Sequence, residues 1–199
     1  MIKLWLDFDN TLITYDALFK KAAFEKELIP KDFPENKNLI RNYLREKDKE
    51  NLFTLLQGEV YGKIISEASQ ADGMYAALKE AKNKGIQLFI ISHKTKTPYK
   101  GPKYDLHHAA LTWLEKNLFF DQAGIDIPKQ NIFFEETKEK KIRRIQELGC
   151  THFIDDLEEI LSMINTNTKK ILYCPFDNNL MVNDFIPMKR WTDLYKLIN

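Results

Sequence analysis

A chain of 199 residues that is 44% hydrophobic and 30% charged is long enough to bury a core without disulfides or structural metals. A net charge of +1 gives no global field for nucleic acid or an anionic membrane, so any charged ligand must be held by local groups. The two cysteines, Cys150 and Cys174, form no CxxC pair and no zinc spacing, which fits a reducing compartment and two small buried residues.

The apolar N-terminus is cut short at Asp7 and Asp9, before it could form the apolar run and cleavage site of a signal peptide. No stretch approaches the roughly 20 apolar residues that span a bilayer. A cytoplasmic protein is expected. Residues 3–9 then read as a short apolar strand ending in acid. Residues 16–70 carry three helical patterns, at 16–28, 36–47 and 51–68, with Pro30 and Pro34 separating the first two and no convincing strand among them. Beyond them helices and short apolar strands alternate: a helix at 74–84 closing at Gly85, a strand at 86–91, a helix at 104–116 and a strand at 132–134. A helix at 138–148 closing at Gly149, a strand at 152–154, a helix at 157–164 and a strand at 171–173 complete the series.

Strands that alternate with helices and are apolar throughout predict a doubly wound, Rossmann-like parallel sheet covered on both faces. The core is expected over residues 1–14 and 71–199, with a small all-helical insertion over 15–70 directly after the first strand. That placement would set the insertion over the strand's carboxyl end, as a lid, or leave it as extra helices beside the core. Ligands of such sheets bind at the carboxyl ends of the strands, where strand order reverses.

Four signals lie at such ends. In Asp7-Phe8-Asp9-Asn10-Thr11 two carboxylates are one residue apart at the end of a buried strand, a costly pairing unless a cation or proton compensates it. A calcium loop starting at Asp7 fails, because its sixth and twelfth positions would be Leu12 and Leu18 and not Gly and Glu. Ser92 ends the strand at 86–91 and is followed by His93 and Lys94; its hydroxyl and the neighbouring amides could bind a phosphate oxygen. Asp155 and Asp156 end the strand at 152–154, and two acidic strand ends in one sheet call for a hard cation. Oxygen ligands without a Cys or His cluster favour Mg²⁺ over Zn²⁺. In the basic helix start Thr137-Lys138-Glu139-Lys140-Lys141, either Lys138 or Lys141 could reach back to the acids.

Taken in order, Asp-x-Asp-x-Thr, strand-Ser, Lys and strand-Asp-Asp, these signals resemble the haloacid dehalogenase-like (HAD) superfamily over essentially the whole chain. The resemblance implies a Rossmann-like core with a helical cap of the type inserted after the first motif. It implies that Asp7 is a nucleophile forming an aspartyl-phosphate and Asp9 the general acid and base. An Asp at this second position is similar to the superfamily's phosphatases and not to its dehalogenases. Ser92 is implied to hold a phosphoryl oxygen and Thr11 to support the loop and the substrate. Mg²⁺ is implied at Asp7, the Asp9 backbone carbonyl, Asp155 and Asp156. Of the two lysines Lys138 is the expected choice, because its span to Asp155 is closer to the family's, with Lys141 the alternative. Glu159 falls where many relatives carry another acid.

The expected activity is hydrolysis of a small phosphorylated metabolite: a sugar phosphate, an amino-alcohol phosphate or a nucleoside monophosphate. Phosphotransfer, phosphonate cleavage and non-catalytic binding are the alternatives. His93 and Lys94 open the basic, turn-rich loop 93–104 and are the expected substrate contacts, with Gln57, Tyr61 and Tyr15 as candidate selectors in the insertion. His107-His108 lacks an acid at ligand spacing and reads as structural. A monomer or homodimer, with no nucleic-acid polymer and no membrane as partner, completes the expectation.

Overall fold

The computed structural model of the chain describes residues 2–176 and 184–198. Strand β1 (Lys3–Leu6) leads to β2 (Ile13–Thr14) and to helices α1 (Asp16–Glu25), α2 (Lys37–Glu46) and α3 (Glu50–Gly58), the last running on as a π-helical turn over Glu59–Lys63. Then come β3 (Ser69–Gln70), α4 (Met74–Asn83), β4 (Gln87–His93), α5 (Leu106–Lys116), β5 (Ile132–Glu135) and α6 (Lys138–Glu147). The chain closes with β6 (His152–Asp155), α7 (Glu158–Ser162), β7 (Lys169–Tyr173), β8 (Ile186–Met188) and α8 (Leu194–Ile198).

Local chemistry sets several of these bounds. Asn36, Asp105 and Thr137 each accept a hydrogen bond from a backbone N–H in the first turn that follows, capping α2, α5 and α6. Gly85 and Gly149, at φ 79° and 66°, stop α4 and α6. In both cases the glycine N–H and the next one fold back onto carbonyls of the last turn, the pattern that a left-handed residue after the helix permits.

Six strands form one parallel sheet in the order β5-β4-β1-β6-β7-β8, as an α/β alternation dictates. The chain first winds from β1 to β4 and β5, then returns to β6 on the other side, so strand order reverses beside β1. β8 is an edge strand that the sequence does not announce: Pro187 interrupts its short apolar run, and an edge is where a sheet tolerates proline. Among the described residues no helix is long and apolar enough to cross a membrane.

Side chains two apart in a strand share a face. One face carries Trp5, Phe89, Ile91, Phe133 and Phe153, with Trp5 stacked on Phe89 at 4.3 Å, and packs on Ile142 and Ile145 of α6 and Ile160 and Leu161 of α7. That parity matters at the strand ends. Asp7 follows Trp5 by two residues and Asp155 follows Phe153 by two, so the face covered by α6 is the one on which both acids emerge.

The chain divides into two compact units: Met1–Ile13, Gln70–Lys94 and Leu118–Asn199 form the sheet unit, and Thr14–Ser69 with Thr95–Asn117 form a mainly helical unit whose Thr14 and Ser69 belong to the paired strands β2 and β3. Residues 95–117 therefore leave the core to which the sequence assigned them. The reason is packing within the helical unit: Trp113 Nε1 donates to the Ala68 carbonyl at 2.9 Å, and Tyr104 and Pro98 lie against Gly62 and Gly58, where no side chain larger than hydrogen fits without displacement. Leu106, Ala110, Trp113 and Leu114 bury the apolar stripe of α5.

At the opposite end of β6 from the acids, His152 is buried with 6% of its surface exposed. The Thr151 hydroxyl donates to the Lys3 carbonyl, so His152 Nδ1–H must be the donor in its 2.9 Å contact with that oxygen, and Nε2 has no partner among the described residues. Protonating Nε2 would bury a charged N–H without an acceptor. Burial, and then Lys169, accordingly hold the imidazole below its ordinary range. Because the neutral form is favoured only in the folded state, stability should be complete above the unfolded pKa of about 6.5 and fall as pH drops below it. Urea unfolding between about pH 7.5 and pH 5 should show this decline, and His152→Gln should flatten it.

Candidate active site

β1 ends at Leu6, three residues short of the strand expected from sequence, and only the Asp7 amide continues the pairing, donating to the Ile154 carbonyl at 2.9 Å. The chain then turns: Asn10 adopts φ 60°, and the amides of Leu12 and Ile13 both donate to the Phe8 carbonyl. Asp7 and Asp9 thus sit on a tight loop at the carboxyl edge. Beside it β6 delivers Asp155, fully buried, with Asp156 half-buried next to it. Asp7, Asp155 and Asp156 each offer a carboxylate oxygen, and these atoms lie within 4.8 Å of one another.

Lys141 of α6 enters this group, its side chain only 2% exposed. Nζ lies 2.6 Å from Asp7 Oδ1 and 2.6 Å from Asp155 Oδ2. The other Asp155 oxygen accepts from the Leu157 amide at 2.9 Å, and Asp156 Oδ2 accepts from Asn10 Nδ2 at 3.3 Å. Burial pushes the Asp7 carboxyl well above its usual range; Lys141 pulls it back, while Asp155, Asp156 and Asp9 push it further up. Burial alone would lower the Lys141 ammonium, yet Asp155 and Asp7 hold it above the usual lysine range, so it stays charged.

The structure therefore brings Lys141, and not the expected Lys138, to the acids. Lys138 pairs instead with Glu159 at 2.6 Å on a partly exposed surface, which also accounts for Glu159. Helix and strand rise explain the choice. From Lys141 back to the end of α6 is about 10 Å at 1.5 Å per residue, and from His152 forward to Asp155 is about 10 Å at 3.3 Å per residue. Lys141 is thus level with Asp155, and Lys138 overshoots by roughly 4 to 5 Å. Matched helix and strand rise thus selects Lys141, although the longer span from Lys138 is closer to the family's.

Ser92 is buried at the end of β4, in register with Phe134. Thr11 is fully buried, and its hydroxyl has no hydrogen-bond partner among the described residues. His93 is half-buried and donates Nε2–H to the Glu136 carbonyl at 3.2 Å; burial, with Lys141 and Lys138 nearby, holds its ring below the usual range. Lys94, expected at a substrate, is instead 4% exposed and pairs with Asp9, its Nζ 2.8 Å from Oδ2. Sequence reasoning missed this pair, since a basic residue opening a polar loop gives no sign of being turned inward.

Within the helical unit Tyr15 is buried edge-on against Tyr61 at 4.8 Å, and Gln57 is half-buried, so both tyrosines have packing roles. Lys100 of the basic loop donates to Asn51, and Tyr99 is 79% exposed. His107 and His108 occupy the first turn of α5, whose cap is Asp105. Among the described residues the three-acid group is the only cluster of potential metal-holding side chains.

The helix-covered parallel sheet recurs in solved structures that this chain matches along its full length. The fold is that of the HAD-superfamily hydrolases. A phosphoserine phosphohydrolase-like protein from Francisella tularensis superposes with a TM-score of 0.57 at 15% identity, covering 100% of both chains. A Bacillus subtilis protein of HAD-hydrolase type, bound to magnesium, gives 0.59 at 14% identity over 100% of this chain and 98% of its own. A dehalogenase described with an intermediate complex gives 0.61 at 12% identity over 100% and 97%. Identities this low carry the HAD-like fold and not the reaction. No sequence-family profile and no curated protein matches the chain.

Proposed function

We propose that the chain is a magnesium-dependent phosphatase acting through Asp7 on a small phosphorylated metabolite. The observation that carries this reading is the acid group itself: Asp7, Asp155 and Asp156 bring carboxylate oxygens within 4.8 Å of one another, and the Lys141 ammonium bonds two of them, Asp7 and Asp155. Carboxylates gathered this closely call for positive charge among them, and an all-oxygen donor set suits a hard cation. Asp7, Asp155, Asp156 and the Asp9 backbone carbonyl would hold Mg²⁺; when bound, it supplies positive charge against the phosphoryl oxygens.

A carboxylate oxygen of Asp7 attacks phosphorus, the P–O ester bond breaks, and Asp9 delivers a proton to the leaving oxygen. Asp9 then takes a proton from water, whose oxygen attacks phosphorus, and the Asp7–phosphorus bond breaks to release phosphate and restore Asp7. Lys141 keeps Asp7 oriented and favours its ionised form, and Ser92 donates to a phosphoryl oxygen. Asp9 favours phosphoryl chemistry over halide displacement, because a halide departs without a proton whereas an alkoxide does not.

Phosphate release from p-nitrophenyl phosphate and a panel of sugar, amino-alcohol and nucleoside phosphates should require Mg²⁺ and stop on treatment with EDTA. Release unaffected by chelation would overturn the metal requirement. Halide release from haloacids, with no phosphate release across the panel, would overturn the phosphatase.

A further inference from the structure

Lys94 is buried as deeply as a core residue, with 3% of its side chain exposed. An ammonium at that depth needs partners, and Asp9 is one: Nζ lies 2.8 Å from Oδ2 and 3.0 Å from Oδ1, so one cation spans both carboxylate oxygens. Two further contacts hold the lysine. Its amide donates to the Glu135 carbonyl at 2.9 Å, and Nζ stands 5.5 Å from the centroid of the Phe8 ring, which meets Phe134 edge-on at 6.0 Å. Asp9 itself lies beyond the end of β1, one residue before the left-handed Asn10, on a loop that also holds Asp7. Two inward lysines thus meet acids here: Lys141 bonds Asp7 and Asp155, and Lys94 bonds Asp9.

We propose that Lys94 is the positioning residue for Asp9, holding its carboxyl group in the one orientation from which it exchanges a proton with the leaving oxygen. The inference rests on the phosphatase reading above. It assigns Lys94 no contact with substrate, in contrast to the role its place in the basic loop suggests. The physical requirement is geometric: a general acid displaced by about 1 Å loses on the order of a hundredfold in rate.

The test compares Lys94→Met, Lys94→Arg, Asp9→Asn and the Lys94→Met/Asp9→Asn double variant on two Mg²⁺-dependent substrates. One is p-nitrophenyl phosphate, whose leaving group departs with little help from a proton. The other is an alkyl phosphate that the parent protein hydrolyses. Lys94→Met should lower kcat on the alkyl phosphate about a hundredfold with KM nearly unchanged, and should lower it far less on p-nitrophenyl phosphate. Lys94→Arg should recover part of the loss. In the Asp9→Asn background the methionine should add little, because the group it misplaces is already disabled.

Equal losses on both substrates, a change confined to KM, or losses that add in the double variant would each overturn the proposal. If Lys94→Met does not fold, Lys94→Gln provides the same comparison. A parent protein that releases no phosphate overturns the phosphatase reading and this proposal together; an active parent whose Lys94 variants match it overturns this proposal alone.

Discussion

Replacing Asp7 by Asn is expected to remove turnover, by about four orders of magnitude or more in kcat, while leaving the fold at least as stable as before. The two halves of this result come from one fact. Asp7 is buried among Asp155, Asp156 and Asp9, and its carboxyl is raised because the folded protein disfavours its charge. An amide of the same shape takes away that repulsion and still lets Lys141 keep Asp155. Under the proposed chemistry it also replaces the nucleophilic carboxylate by an amide that does not attack phosphorus. Thermal melts without added metal and phosphate-release assays with Mg²⁺ measure the two halves separately. Retained activity in a well-folded Asp7→Asn protein would remove the nucleophile assignment.

Lys141→Met is expected to damage both properties. Two buried carboxylates would lose the ammonium that lies 2.6 Å from each, and breaking such an arrangement costs about 3 to 5 kcal/mol. Activity should fall by about a hundredfold to a thousandfold, the usual effect of deleting a preorganised charge at a reacting group. Mg²⁺ should recover part of the stability and little of the activity. Since the folded-state value of Lys141 lies above the unfolded one of about 10.4, its stabilising contribution is complete through neutral pH and decays only in strong alkali. Lys138→Met, which severs only the exposed pair with Glu159, should change neither property appreciably. Urea midpoints and kcat for the two variants decide the matter, and equal effects would contradict the separation.

The alternating architecture was legible because each core strand is a short apolar run and each helix that follows carries a stop, Gly85 and Gly149 among them. The acids were legible for a related reason: charge at the end of a buried strand is conspicuous. What pattern could not supply was the partner of a pattern. The stripe of α5 announces a buried face without saying that it packs within the helical unit, with Trp113 against Ala68. Lys138, Lys140 and Lys141 are chemically alike, and only the match of helix rise to strand rise separates them. Lys94 left no trace at all, since a cation buried against an acid 85 positions away is a tertiary fact. β8 was hidden by Pro187, whose missing N–H is harmless at a margin.

The helical unit is made from two stretches of chain, Thr14–Ser69 and Thr95–Asn117, with a piece of the sheet threaded between them. During synthesis its first stretch emerges before β4, the earliest neighbour that β1 acquires, yet it cannot finish packing until Trp113 arrives to meet Ala68. The insertion is therefore no detachable cassette. Excising 14–69 would strip α5 of what covers it and leave Leu106, Ala110, Trp113 and Leu114 facing water, while grafting 14–69 elsewhere would carry the complementary wound.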